Sequence, residues 1–168
     1  GRRRNFVAAL VALGLVGAGV FWLPGALVAH GAAILPEAKR QEIGRLVLND
    51  LARVAGPPCT GAEGAAALAK LGDRLGIANL VVLPNAPARA LVLPGGIVAL
   101  GAPLVEEFSS PDVVAGAIVA AQSAPAAADP LRAALDWAGA RAAFQMLTTG
   151  AVPAGAFDSY GEGLLTGP

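Results

Sequence analysis

The sequence predicts an α+β protein: an N-terminal transmembrane helix followed by a mainly helical domain with a small β-hairpin or sheet. Three observations lead there. The run from Phe6 to Leu23 is apolar or glycine throughout and follows Arg2, Arg3 and Arg4 directly. Farther along, apolar residues recur at helical spacing between recognisable start and stop signals. Between those helices, two short apolar runs flank Pro94-Gly95-Gly96, a hairpin signature.

From the N-terminus, no charged side chain occurs between Phe6 and Ala29. Eighteen residues at helical rise cover about 27 Å, close to the ~30 Å hydrocarbon core of a bilayer. Three arginines before the run and Trp22 near its far end orient such a helix with its N-terminus in the cytoplasm. Phe6 and Trp22 then act as membrane anchors, and Pro24 falls at the exit. A secretory signal peptide competes with this reading, since small residues lie near Ala29 to Ala33. The run is longer than a usual h-region, which favours an uncleaved anchor. Gly14, Gly17 and Gly19 would permit close helix packing within the membrane. Residues 1–30 thus read as a basic cytoplasmic stub and anchor, and residues 31–168 as a periplasmic domain. Ten arginines against two lysines, with abundant alanine, point to a GC-rich bacterial genome. The expected location is a bacterial inner membrane, single-pass, with membrane lipid as one partner.

Pro36 opens a helix carrying Ile43, Leu46, Val47, Leu51 and Val54, which stops at Gly56-Pro57-Pro58. A second helix runs from Ala62 to Leu75 and closes on Gly76. Leu80 to Leu83 forms a short strand, Ala90 to Leu93 and Ile97 to Leu100 form the hairpin, and Leu104 to Phe108 a short helix. Ser110, Pro111 and Asp112 supply an N-cap, a first-turn proline and a first-turn acid. The helix they open carries Val113, Val114, Ala117, Ile118 and Ala121, and Pro125 kinks or ends it. Asp129-Pro130 repeats the signal and starts a final helix to Gly150; the Gly- and Pro-rich tail has one helical turn near Tyr160.

Composition narrows function. With 55% hydrophobic and 14% charged residues, the 168-residue chain is too apolar for disorder and is one domain's worth of globular chain. Twelve basic residues balance twelve acidic ones, so the basic footprint of a nucleic-acid binder is missing. One cysteine, Cys59, excludes an internal disulfide framework and a thiolate zinc cluster. One histidine, His30, excludes any site that needs two imidazoles.

Several segments resemble, in order, the membrane-anchored zinc metallopeptidases of the HtpX and CAAX-prenyl-protease type, metallopeptidase family forty-eight. Pro36 and Glu42-Ile43-Gly44 look like that family's P…E-x-G entry. The segment Arg89-Ala90-Leu91-Val92-Leu93-Pro94-Gly95-Gly96 resembles its N-A-F-A-L-P-G-G hairpin, with Arg89 in place of asparagine. Ile97 to Leu104 resembles the strand that follows. Ser110 to Gly116 resembles the S-x-D-E-L-A-G helix start, and Asp129-Pro130-Leu131 the R-H-P beyond the active helix. The resemblance covers roughly residues 36 to 135 and implies a metallopeptidase-like domain.

It also implies a zinc site that this chain lacks. In that family two histidines at i and i+4 bind zinc, and an intervening glutamate activates the metal-bound water. Registering on Ala115-Gly116 puts those three positions at Ala120, Ala121 and Ala124, with Gln122 and Ser123 between. An alanine methyl has no lone pair, so no zinc is expected and no catalytic or metal-binding residue is assigned. The family's third ligand lies in an E-x-x-x-D pattern; Glu162 is followed at that spacing by Thr166, unless the true counterpart lies beyond Pro168.

The preferred reading is a pseudoenzyme serving as an accessory or scaffolding subunit of an integral membrane protein complex. A second reading is a peptide- or protein-binding module that uses the hairpin's edge strand, with Arg89, Leu91, Val92 and Leu93 as contacts. A third is a metalloendopeptidase relative whose site is not in this chain. Other chemistry is weaker. Ser123 has no histidine base, and nothing places Lys39 or Lys70 beside it. Cys59 reads as a lone structural thiol, or as a redox or intermolecular one. Glu106, Glu107 and Asp112 read as a solvated acidic face rather than a metal site.

Overall fold

A computed structural model describes residues 2–108, 110–123 and 129–167. Seven helices are described: α1 (Arg2–Ile34), α2 (Glu37–Ala55), α3 (Ala62–Leu75), α4 (Ala102–Glu106), α5 (Pro111–Gln122), α6 (Pro130–Thr149) and α7 (Tyr160–Thr166). The strands are β1 (Asn79–Leu83), β2 (Ala90–Leu93) and β3 (Ile97–Gly101), with a single 3-10 turn over Pro94–Gly96.

Local chemistry sets most of these limits. Pro36, extended at φ −60° and ψ 149°, precedes α2. Gly76, left-handed at φ +68°, ends α3 and donates its N–H to the Gly72 carbonyl. Ser110 caps α5 by accepting the Asp112 N–H, and Asp129 caps α6 by accepting the Leu131 N–H at 3.0 Å. Helix α4 starts two residues earlier than its sequence pattern implies, because Pro103 suits the first turn directly after β3. Helix α6 is two helical segments joined at a kink: Gly139, at φ +85° and ψ 162°, interrupts it.

The strands form one sheet in the order β1-β3-β2, with β3 parallel to β1 and antiparallel to β2. All five residues of β3 are buried, as an apolar run without alternation requires of a strand covered on both faces. Side chains alternate across the sheet. Val81, Leu83, Leu91, Leu93, Ile97 and Ala99 join a core with Ile43, Val47 and Leu51 of α2 and Leu131 and Leu135 of α6. Leu80, Val82, Ala90, Val92, Val98 and Leu100 join a second core with Leu71 of α3, Leu104 of α4 and Val114 and Ile118 of α5. The sheet therefore lies between two helical layers.

Two glycines fasten α2 to the hairpin turn. A Cβ on Gly44 would overlap the Pro94 carbonyl, and one on Gly95 would lie 2.6 Å from the Gln41 Cα. The Glu42-Ile43-Gly44 and Pro94-Gly95-Gly96 segments thus pair with each other in the fold.

The N-terminal expectation requires correction. Among the described residues no helix is long and apolar enough to cross a membrane, so the fold is mixed α/β without the predicted N-terminal transmembrane helix. A single-pass inner-membrane arrangement does not fit this set of helices. Helix α1 is continuous through Pro24 and across residues 30 and 31 to Ile34. Its last turns belong to the first core, where Val28 and Ala32 are buried. Arg40 fastens that end, donating to the Ala32 carbonyl at 2.6 Å and the Leu35 carbonyl at 3.2 Å. A cation at a helix C-terminus also complements the helix dipole. The side chains of Phe6 and Trp22 lie outside the described residues.

Candidate functional site

Helix α5 carries Ala120 and Ala121, two of the three positions that the family resemblance marks for the zinc site. Its packing is set by Val114 and Ile118, buried against the sheet face bearing Val92, Val98 and Leu100. Ala120 is exposed and Ala121 half-buried in the last turn, while Ala124 lies outside the described residues. The helix closes at Ser123, whose N–H and Oγ–H both donate to the Val119 carbonyl. That hydroxyl is engaged in its own helix end. His30 is exposed on α1, a different element. Glu162 is exposed on α7, and the Thr166 hydroxyl donates to its main-chain carbonyl at 2.9 Å, an ordinary helix back-bond. Among the described residues no group of three or more His, Cys, Asp or Glu side chains is placed to hold a metal ion.

Beside α5 lies the outer strand β2. Gly101 N–H donates to the Arg89 carbonyl at 3.1 Å, which fixes the phase of the hairpin. Residues 89, 91 and 93 direct their main-chain groups to β3, and Ala90 and Val92 direct theirs outward. Among the described residues no main-chain hydrogen bond outside the sheet reaches Ala90 or Val92. The side chains named as contacts are largely occupied. Leu93 is buried and Leu91 half-buried in the first core, and Val92 packs toward α5 in the second. The Arg89 guanidinium donates to the Gly167 carbonyl at 2.9 Å and to the Leu164 and Leu165 carbonyls, clasping the C-terminal end of α7. Its Nε is buried without a partner. Arg89 thus works inside the fold, and what β2 offers outward is main chain.

Sequence reasoning missed Asp50. This buried carboxylate accepts the Gly161 N–H at 2.7 Å and pairs with the exposed Arg53. Hydrogen bonding and charge from Asp50 raise the Arg53 guanidinium above its ordinary value, keeping it charged. The role is structural: Asp50 meets an orphan N–H at the start of α7. No sequence signal could have found it, since the two residues stand 111 positions apart.

Compared with family models, curated proteins and solved structures, the chain matches none.

Proposed function

We propose that this chain is a catalytically inactive, metallopeptidase-like protein that acts by holding a partner, as an accessory or scaffolding subunit of a larger protein complex. The observation that carries it is the pair Ala120 and Ala121, in the last turn of α5, where the resembled family has a zinc-binding histidine and the catalytic glutamate. The chain's one histidine is elsewhere. The nearest surface suited to holding a polypeptide is the outward main chain of Ala90 and Val92, to which an extended segment would add as a fourth strand.

Zinc analysis of the purified protein tests the first half: we expect no stoichiometric zinc, and one zinc per chain would overturn the pseudoenzyme reading. Purification under mild conditions tests the second half. A defined complex should accompany the wild-type chain, and Val92→Pro should release it by removing an outward N–H, a change that edge strands tolerate. A complex that survives Val92→Pro would move the contact away from β2, and a solitary chain would count against a subunit role.

A further inference from the structure

The sheet's other outer strand borders a second surface. Helix α3 covers it incompletely: of its fourteen residues only Gly72 is buried, while Leu68, Leu71 and Leu75 are half-buried. A hollow of about 450 Å³ remains between α3, Val82 of β1 and residues 102–108 and 111–114. Its floor is apolar, with Leu68, Leu71, Val82 and Val114. Val105 and Phe108, which also line it, stand 39% and 43% exposed, so the apolar wall of the hollow is open to solvent. Contiguous exposed apolar surface of this kind marks interaction sites.

Charge selects the occupant. Residues 102–114 contain Glu106, Glu107 and Asp112 and no lysine or arginine. Glu106 lines the hollow, and among the described residues Glu106, Glu107 and Asp112 form no ion pair. Helix α3 adds two acids and two bases, Glu63 and Asp73 with Lys70 and Arg74, so the acidic excess belongs to the facing wall. An acidic wall beside an apolar floor repels fatty-acid carboxylates and anionic headgroups and attracts cations. The matching ligand has an apolar stripe flanked by positive charge, which is a basic amphipathic helix.

We infer that this groove docks a basic amphipathic helical segment of a partner protein. The surface is separate from the β2 edge: β1 and β2 are opposite edges of the sheet, and no β2 residue lines the groove.

Cys59, the chain's one cysteine, is exposed and lines the groove, so its thiol reports on occupancy. The probe is a synthetic amphipathic helix of leucine and lysine, with a leucine/glutamate helix of the same pattern as its opposite, each added to the full chain. The leucine/lysine helix should slow alkylation of Cys59 by iodoacetamide at least tenfold. Its affinity, read by fluorescence anisotropy, should fall at least tenfold in Glu106→Lys/Glu107→Lys, both exposed positions, and stay within twofold in Glu162→Lys, an exposed acid on α7 that does not line the groove. Equal protection of Cys59 by the leucine/glutamate helix would overturn the inference. So would protection by a fatty acid in place of the basic helix, or self-association that shields Cys59 before any peptide is added.

Discussion

Gly44 occupies a point where a methyl group has no room, because α2 rests directly on the Pro94 carbonyl. Gly116 in α5 is the opposite case, with nothing within 4 Å of the place a Cβ would take. Gly44→Ala should therefore lower stability by about 2–4 kcal/mol, through backbone overlap that rotamer changes cannot relieve. Gly116→Ala should raise it by up to about 1 kcal/mol, through helix propensity alone. Urea midpoints of the two variants check both signs. Tyr160 makes a second prediction at this scale. It is buried, its ring 5.5 Å from that of Trp137, and burial followed by the charge of Asp136 raises its phenol above the ordinary value. A raised value in the folded state means that the stability it contributes is complete below about pH 10. That stability is lost as pH climbs through the shifted value. Tyr160 is the chain's one tyrosine, so a tyrosinate absorbance titration reads it directly. The midpoint should lie above about 10, and Tyr160→Phe should flatten the alkaline loss of stability; a midpoint at or below 10 would refute the assignment.

At the scale of elements, α7 is held at both ends by distant side chains. Asp50 meets the Gly161 N–H near its start, and Arg89 gathers the Leu164, Leu165 and Gly167 carbonyls at its end. A seven-residue helix is too short to persist on its own hydrogen bonds. Arg89→Ala should speed amide exchange across residues 160–167 by about tenfold or more, the effect of losing charge-assisted hydrogen bonds. Exchange in β3 should change little, and Arg89→Lys should recover only part of the protection, since an ammonium cannot reproduce a planar fork. Uniform loss of protection through the sheet would show instead that Arg89 supports the whole fold. How legible these elements were follows from the range of the signals that make them. The end of α3 at Leu75 was readable because the helix closes on Gly76, a glycine that adopts the left-handed conformation. The break in α6 was not, because a glycine inside an apolar helical pattern reads as tolerated until its φ of +85° is seen. The anchoring of α7 depends on contacts more than seventy residues apart, which no window along the chain contains.

At the scale of the molecule, two helical layers enclose the sheet, and α1 joins one of them through its last turns. Val28 is 3% exposed there, while Val16, three turns earlier, is 63% exposed. Val28→Ala should cost about 1–3 kcal/mol as a core truncation. Val16→Ala should stay within about 0.5 kcal/mol, as surface changes do. Equal effects at the two positions, measured by thermal or urea unfolding, would mean that α1 is not part of the core. The sequence by itself determined the order and type of the elements, since caps, prolines and apolar periods act over a few residues. It also determined that one copy of these 168 residues cannot supply two histidines to a site, whatever its fold. Only the tertiary structure decided which surfaces are covered. The apolar N-terminal helix was read as a membrane anchor, whereas its end is sealed into the core. Arg89 was read as a partner contact, whereas it clasps α7. The groove beside Cys59 had no sequence signal at all. Covering one surface with another depends on contacts between residues far apart in the chain, and local patterns carry no record of them.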